Sequence, residues 1–125
     1  MPRFDRDPSA EGPVVQSIGA NGFTVDGGVY PGLLLTPERA DLWSPPALAE
    51  LGIDDLEAVA SLVPTPDFLL LGTGSRLSRP PAALVRALDQ RGTGVEPMDS
   101  RAAARTWGVL RAEGRWIVAA LMPLS

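Results

Sequence analysis

The residues best placed to do chemistry are a glycine turn and two arginine-bearing segments. Gly72-Thr73-Gly74-Ser75 ends an apolar run and is followed by Arg76; 25 residues after Gly74 comes Asp99, with Ser100, Arg101 and Arg105 behind it. Backbone N–H groups in a sharp glycine turn, hydroxyls and guanidinium forks are all donors, and donors that converge can hold a phosphate or carboxylate. An exposed helix N-terminus adds about 0.3–1 kcal/mol for an anion. A plainer account uses the same residues without a ligand: the loop is tight for packing reasons and Asp99 caps a helix. Gly72-x-Gly74 ahead of Asp99 also invites comparison with the dinucleotide fingerprint. The match is poor, because Leu77 stands at the third glycine position and the helical pattern starts only near Pro80. Without a lysine the loop is not a P-loop either.

The residue types that are missing narrow the chemistry further. The 125 residues include no histidine and no cysteine, and all 11 basic residues are arginine. The pH-7 proton shuttle, the thiolate nucleophile, the Schiff-base amine and the common nitrogen ligand for zinc are therefore absent. Carboxylates and Tyr30 are the remaining acid–base groups. Asp54-Asp55-x-Glu57 is clustered, but a helix start attracts negative charge without catalysis, and as a metal site it offers only oxygen ligands. Glu113, next to Gly114-Arg115, is expected to pair with an arginine of its own helix, a structural use. These features lean away from an enzyme and predict no metal and no cofactor.

Charge is divided unevenly along the chain. Residues 1–67 hold three arginines and eleven acids, whereas residues 68–125 hold eight arginines and four acids, within a net charge of −4. The second half is the anion-attracting half. Trp43, Trp107 and Trp116 are too far apart for a base-stacking platform, and the acidic total argues against nucleic acid. No apolar run reaches the roughly 18–20 residues that span a bilayer, and the N-terminus lacks the apolar region of a secretory signal, so a soluble cytoplasmic protein is expected.

Hydrophobic pattern supplies the scaffold. Residues 1–12 alternate charge with proline and glycine and are expected to form a flexible tail, leaving residues 13–125 as one domain. Val14 to Ile18 and Phe23-Thr24-Val25 form a hairpin about Gly19-Ala20-Asn21-Gly22. Val29 to Leu35 reads as a strand with an irregular start at Pro31-Gly32, and an edge strand is expected near residues 40–43. From Asp54 the pattern is helical, with Asp54 as cap, Glu57 reaching back, and Leu56, Val59, Ala60 and Val63 on the inner face. Phe68-Leu69-Leu70-Leu71 is a central strand buried on both faces. A second helix follows Pro80-Pro81 with Leu84, Val85 and Leu88 inward; residues 94–98 form an edge strand. A third helix, capped by Asp99-Ser100, turns Ala103, Trp107 and Leu110 inward; residues 115–122 form the last strand, its direction open. The result is an α/β, three-layer single domain with a central mixed sheet, helices on its faces and an N-terminal β-hairpin extension. If the strands ending at Leu71 and Met98 are parallel, both loops leave one rim and form a ligand crevice there.

Several segments together resemble one family. They are Gly22-Phe23-Thr24-Val25, Leu33-Leu34-Leu35 with Trp43, Leu69-Leu70-Leu71-Gly72-Thr73-Gly74, Gly94-Val95-Glu96 with Met98-Asp99, Ala102-Ala103 to Arg105-Thr106, Glu113-Gly114-Arg115 and Ala119-Ala120-Leu121-Met122-Pro123. The group is that of small bacterial, archaeal and mitochondrial proteins that includes mitochondrial NADH dehydrogenase (complex I) assembly factor 3. The likeness runs from about Ser17 to Pro123. It implies a three-layer α/β fold and, for the mitochondrial members, a non-enzymatic role in assembling a respiratory complex through protein partners. Two positions depart from the family: Ser100 stands where threonine is usual, and Trp107-Gly108 replaces an aromatic–asparagine pair. The sequence thus points to a protein-interaction or assembly module with protein partners. The alternative is a small-anion or nucleotide-binding protein using the crevice of Gly72, Thr73, Gly74, Ser75 and Arg76 with Asp99, Ser100, Arg101 and Arg105.

Overall fold

A computed structural model describes residues 11–124. The central sheet has five strands in the order β5-β4-β8-β6-β7: β4 is Leu33–Leu35, β5 Ala40–Leu42, β6 Phe68–Gly72, β7 Gly94–Met98 and β8 Val118–Leu121. β6 is parallel to β7 and to β8, while β4 is antiparallel to β8 and β5, so the sheet is mixed. The last strand, whose direction the sequence left open, is therefore parallel to β6. Among the described residues three α-helices complete the fold: α1 (Glu57–Ala60), α2 (Ala82–Gln90) and α3 (Ser100–Ala112).

Alternation along β6 divides the core into two layers. Leu69 and Leu71 join Leu56, Val59, Leu84 and Leu88 under α1 and α2, and Leu70 joins Phe23, Val25, Ala103 and Trp107 under α3. Burial on both faces is what a continuous leucine run requires. The expected hairpin, β1 (Ser17–Gly19) with β2 (Gly22–Val25), gains a third strand, β3 (Gly28–Tyr30), and forms a small antiparallel sheet. The stretch read as one irregular strand is thus two. Pro31 and Gly32 lie where the chain leaves the small sheet for β4 in the central one.

Three further expectations are corrected. The helical segment opens with a 3₁₀ turn, Ile53–Leu56, and the residues that cap it are Gly52 and Asp55, whose carboxylate accepts the Gly52 N–H at 2.9 Å. Asp54 and Glu57 do not take those roles, because the turn is capped two residues earlier, at Gly52, and the reach-back position three residues on moves with it. Val63 is 85% exposed instead of inward, since α1 ends at Ala60 and the helical period no longer applies. Val85 also faces solvent, as α2 buries only the narrow stripe of Leu84 and Leu88. Asp99 does cap α3, accepting the Ala102 N–H at 2.9 Å.

β7 is an edge strand, and Pro97 fits it. Gly94 N–H bonds the Asp67 carbonyl and the Met98 carbonyl accepts from Thr73 N–H, so residues 94, 96 and 98 bond toward β6 while Val95 and Pro97 turn their backbone outward. Most of the expected tail lies outside the described residues; Glu11 and Gly12 lie within them. The Glu11 carbonyl accepts from the Arg111 guanidinium at 3.0 Å, and the Pro13 carbonyl accepts from the Trp107 indole at 2.9 Å.

Candidate functional site

Parallel β6 and β7 send their following loops off one rim, at the carboxyl ends of the strands. There the glycine turn and the start of α3 meet in direct contact. Gly72 lies against Ser100 so closely that a Cβ on it would sit 2.6 Å from the Ser100 hydroxyl oxygen and 2.8 Å from its Cα, which is why only glycine fits. Gly74 has φ +103°, a conformation that favours glycine.

Two hydroxyls at this junction, those of Ser100 and Thr73, already have partners. Buried Ser100 Oγ accepts the Gly74 N–H at 2.9 Å and donates to the Met122 carbonyl at 2.8 Å, linking the turn, α3 and the segment after β8. Thr73 Oγ1 donates to the Arg76 carbonyl at 2.7 Å and accepts the Ser78 N–H at 3.1 Å, while the Thr73 N–H bonds the Met98 carbonyl. Of the donors gathered by the sequence, the N–H groups of Ser75 and Arg76, the Ser75 hydroxyl and the guanidinium groups of Arg76, Arg101 and Arg105 make no hydrogen bond among the described residues.

The opening lies on the other side of the turn. A groove of about 430 Å³ runs between the turn, the segment Met122-Pro123-Leu124 and a wall that begins at Pro45 and ends at Leu48. Thr73, Gly74, Ser75 and Arg76 line it; Gly72 and Ser100 support it from behind; Asp99, Arg101 and Arg105 do not line it. Arg101 and Arg105 are exposed on α3. Sequence reasoning missed two of the three walls, because Pro45-Pro46 and Pro123 carry no signal that would bring them to a glycine turn far away in the chain.

Electrostatics separate this rim from the opposite one. Among the described residues Arg76, Arg79 and Arg101 have no carboxylate partner, and neither do Arg86 within α2 and Arg105 within α3. At the amino ends of the parallel strands Arg91 pairs with Glu57 at 2.5 Å, Arg115 approaches Asp67 at 4.0 Å and stacks over Phe68, and buried Arg111 donates to the Arg115 and Glu11 carbonyls. Exposed Arg39 pairs with Asp41, whose hydrogen bond and charge raise the guanidinium pKa. Among the described residues no cluster of three or more candidate metal ligands occurs, and no helix is long and apolar enough to cross a membrane.

Comparison with known proteins agrees with this architecture. A crystal structure from Bordetella parapertussis superposes with TM-score 0.78 at 35% identity, covering 89% of this chain and 95% of that one. A solution structure from Bordetella pertussis, described as a Mth938-like domain, gives TM-score 0.77 at 27% identity and covers 100% and 93%. In sequence, an uncharacterized protein of Rhodobacter capsulatus is 36% identical over 121 residues, covering 95% of this chain and 92% of its own. NADH dehydrogenase [ubiquinone] 1 alpha subcomplex assembly factor 3 of Danio rerio is 30% identical over 116 residues; the match takes in 92% of this chain and 67% of the fish protein. The chain spans roughly two thirds of the length of the assembly factors it matches, 63% in the Homo sapiens protein. The profile described as "Protein of unknown function (DUF498/DUF598)" covers residues 15–122, and with nearly the whole fold inside that match the chain belongs to this family.

Proposed function

We propose that this chain is a non-enzymatic assembly module that acts by holding protein partners, as the name of its assembly-factor relatives suggests for respiratory complex I. The observation that carries the reading is the extent of the similarity, 92% of this chain against the Danio rerio factor. The residue inventory supports it: with no histidine, cysteine or lysine, the chain lacks the thiolate and amine nucleophiles and the imidazole proton shuttle. The reading places the module in the cytoplasm, in the soluble fraction of broken cells. Disrupting the gene in its source organism and resolving membranes by native electrophoresis tests it. The expected result is less assembled NADH dehydrogenase complex, restored by a plasmid copy. An unchanged amount of complex overturns the reading.

A second reading draws on the unclaimed Ser75 and Arg76 N–H groups beside the Arg76 guanidinium: a small anion or nucleotide held at the turn. A ligand at 100 times its Kd stabilises a fold by about 2.7 kcal/mol. A thermal-shift screen over phosphates, nucleotides, nicotinamides and acyl ligands should then find at least one clear shift, and a flat screen removes tight binding by all of them.

A further inference from the structure

We propose that the rim groove docks an extended acidic segment of a partner protein, with Arg76, Arg79 and Arg101 taking its carboxylates and the groove floor taking its apolar side chains. The inference rests on the assembly reading above and adds the place and the chemistry of the partner.

Charge complementarity is the first support. None of the residues lining the groove is acidic, and Arg76 stands on its wall. Arg79 and Arg101 flank the groove without lining it: Arg79 follows Ser78 of the same wall, and Arg101 follows Ser100, whose hydroxyl ties the turn to Met122. All three arginines are exposed and without a carboxylate partner among the described residues; Arg86 on α2 and Arg105 on α3 share that state but do not line the groove, whereas Arg39, Arg91, Arg111 and Arg115 are engaged within the fold. Guanidinium forks left in this state favour carboxylates brought by another molecule. The acid nearest in sequence to the lining, Glu50, lies two residues past Leu48 on the far wall.

Shape is the second. Leu48, Met122 and Pro123 give the groove apolar surface, and the free N–H groups of Ser75 and Arg76 offer main-chain donors beside it. Pro45, Pro46 and Pro123 stiffen two walls, so little ordering is lost when a chain lies between them. A bilayer surface would meet the arginines but leave a walled groove unfilled, which favours a peptide.

The test uses the full chain and a fluorescent library of amidated hexapeptides that alternate aspartate or glutamate with leucine, valine or proline. Saturable anisotropy is expected for the acidic library and none for the same library with asparagine and glutamine. Arg76→Ala and Arg101→Ala should each weaken binding about tenfold, the loss of one charge-assisted contact. Ala47→Trp, at an exposed groove position, should block binding without altering any charge. No saturable binding at millimolar peptide overturns the proposal. So does equal binding of the neutral library, or indifference to all three variants, or arginine-dependent binding to anionic phosphatidylserine vesicles in place of peptide. A neutral library with a free C-terminal carboxylate that binds as well as the acidic one would also overturn it, since capture of a chain end is a different site. Failure here is separable from failure of the assembly reading. If gene disruption lowers the complex and the Arg76→Ala/Arg101→Ala double variant restores it fully, the groove proposal falls and the assembly reading stands.

Discussion

The two rims of the central sheet solve the same closure problem with opposite chemistry. At the amino-end rim arginines do the structural work: Arg111 is buried to 2% exposure on backbone carbonyls, Arg91 holds Glu57, and Arg115 covers Phe68. At the carboxyl-end rim neutral hydroxyls do it, Ser100 and Thr73 binding the turn to α3 and to the segment after β8, so the arginines there are left over. A hydroxyl satisfies a buried N–H without carrying charge into the core, whereas a buried guanidinium must have all its donors met. The comparison teaches that a cation committed to structure can be told from one left unpaired by asking which groups already hold the backbone.

Breaking each rim in turn sharpens that contrast. Arg111→Met keeps the aliphatic length but leaves the Arg115 and Glu11 carbonyls without their donor, and should cost about 2–4 kcal/mol in urea unfolding. Gly72→Ala drives a methyl into Ser100, and overpacking of this kind should cost about 1–3 kcal/mol in the same measurement. Ser100→Ala strands the Gly74 N–H and the Met122 carbonyl; a loss of about 1–2 kcal/mol is expected, with faster hydrogen exchange at Gly74. Arg91→Gln removes an exposed pair and should cost about 0.2–1 kcal/mol, diminishing with added salt. Arg76→Gln should leave stability within about 0.5 kcal/mol, and a larger loss would show that the carboxyl-end rim also relies on its cations.

Much of the scaffold was legible because its elements are strongly patterned. Phe68 to Gly72, the run before Met122 and the amphipathic residues of α3 leave little freedom, and Asp99 announces its helix by type and place. The split at Pro31-Gly32 was not legible, since a proline and a glycine mark a break in a strand but not the change of sheet. The exposure of Val63 and Val85 was also hidden: periodicity assigns a face, and the width of the buried stripe depends on neighbours that only the fold supplies. At the candidate site, the contact of Gly72 with Ser100 follows from two parallel strands and was accessible in the sequence. The walls from Pro45 to Leu48 and around Pro123 were not, because they arrive through pairing across the sheet.

Pro97 gives the sheet a definite end. Its ring occupies an outward-bonding position of β7, so a foreign strand laid along that border would find a donor missing midway and a bulky ring in its path. The opposite border, β5, is three residues long and bears the Arg39–Asp41 pair. Crowded copies of the chain are thereby discouraged from adding to one another strand by strand into fibres, and association is left to side chains instead of the main chain.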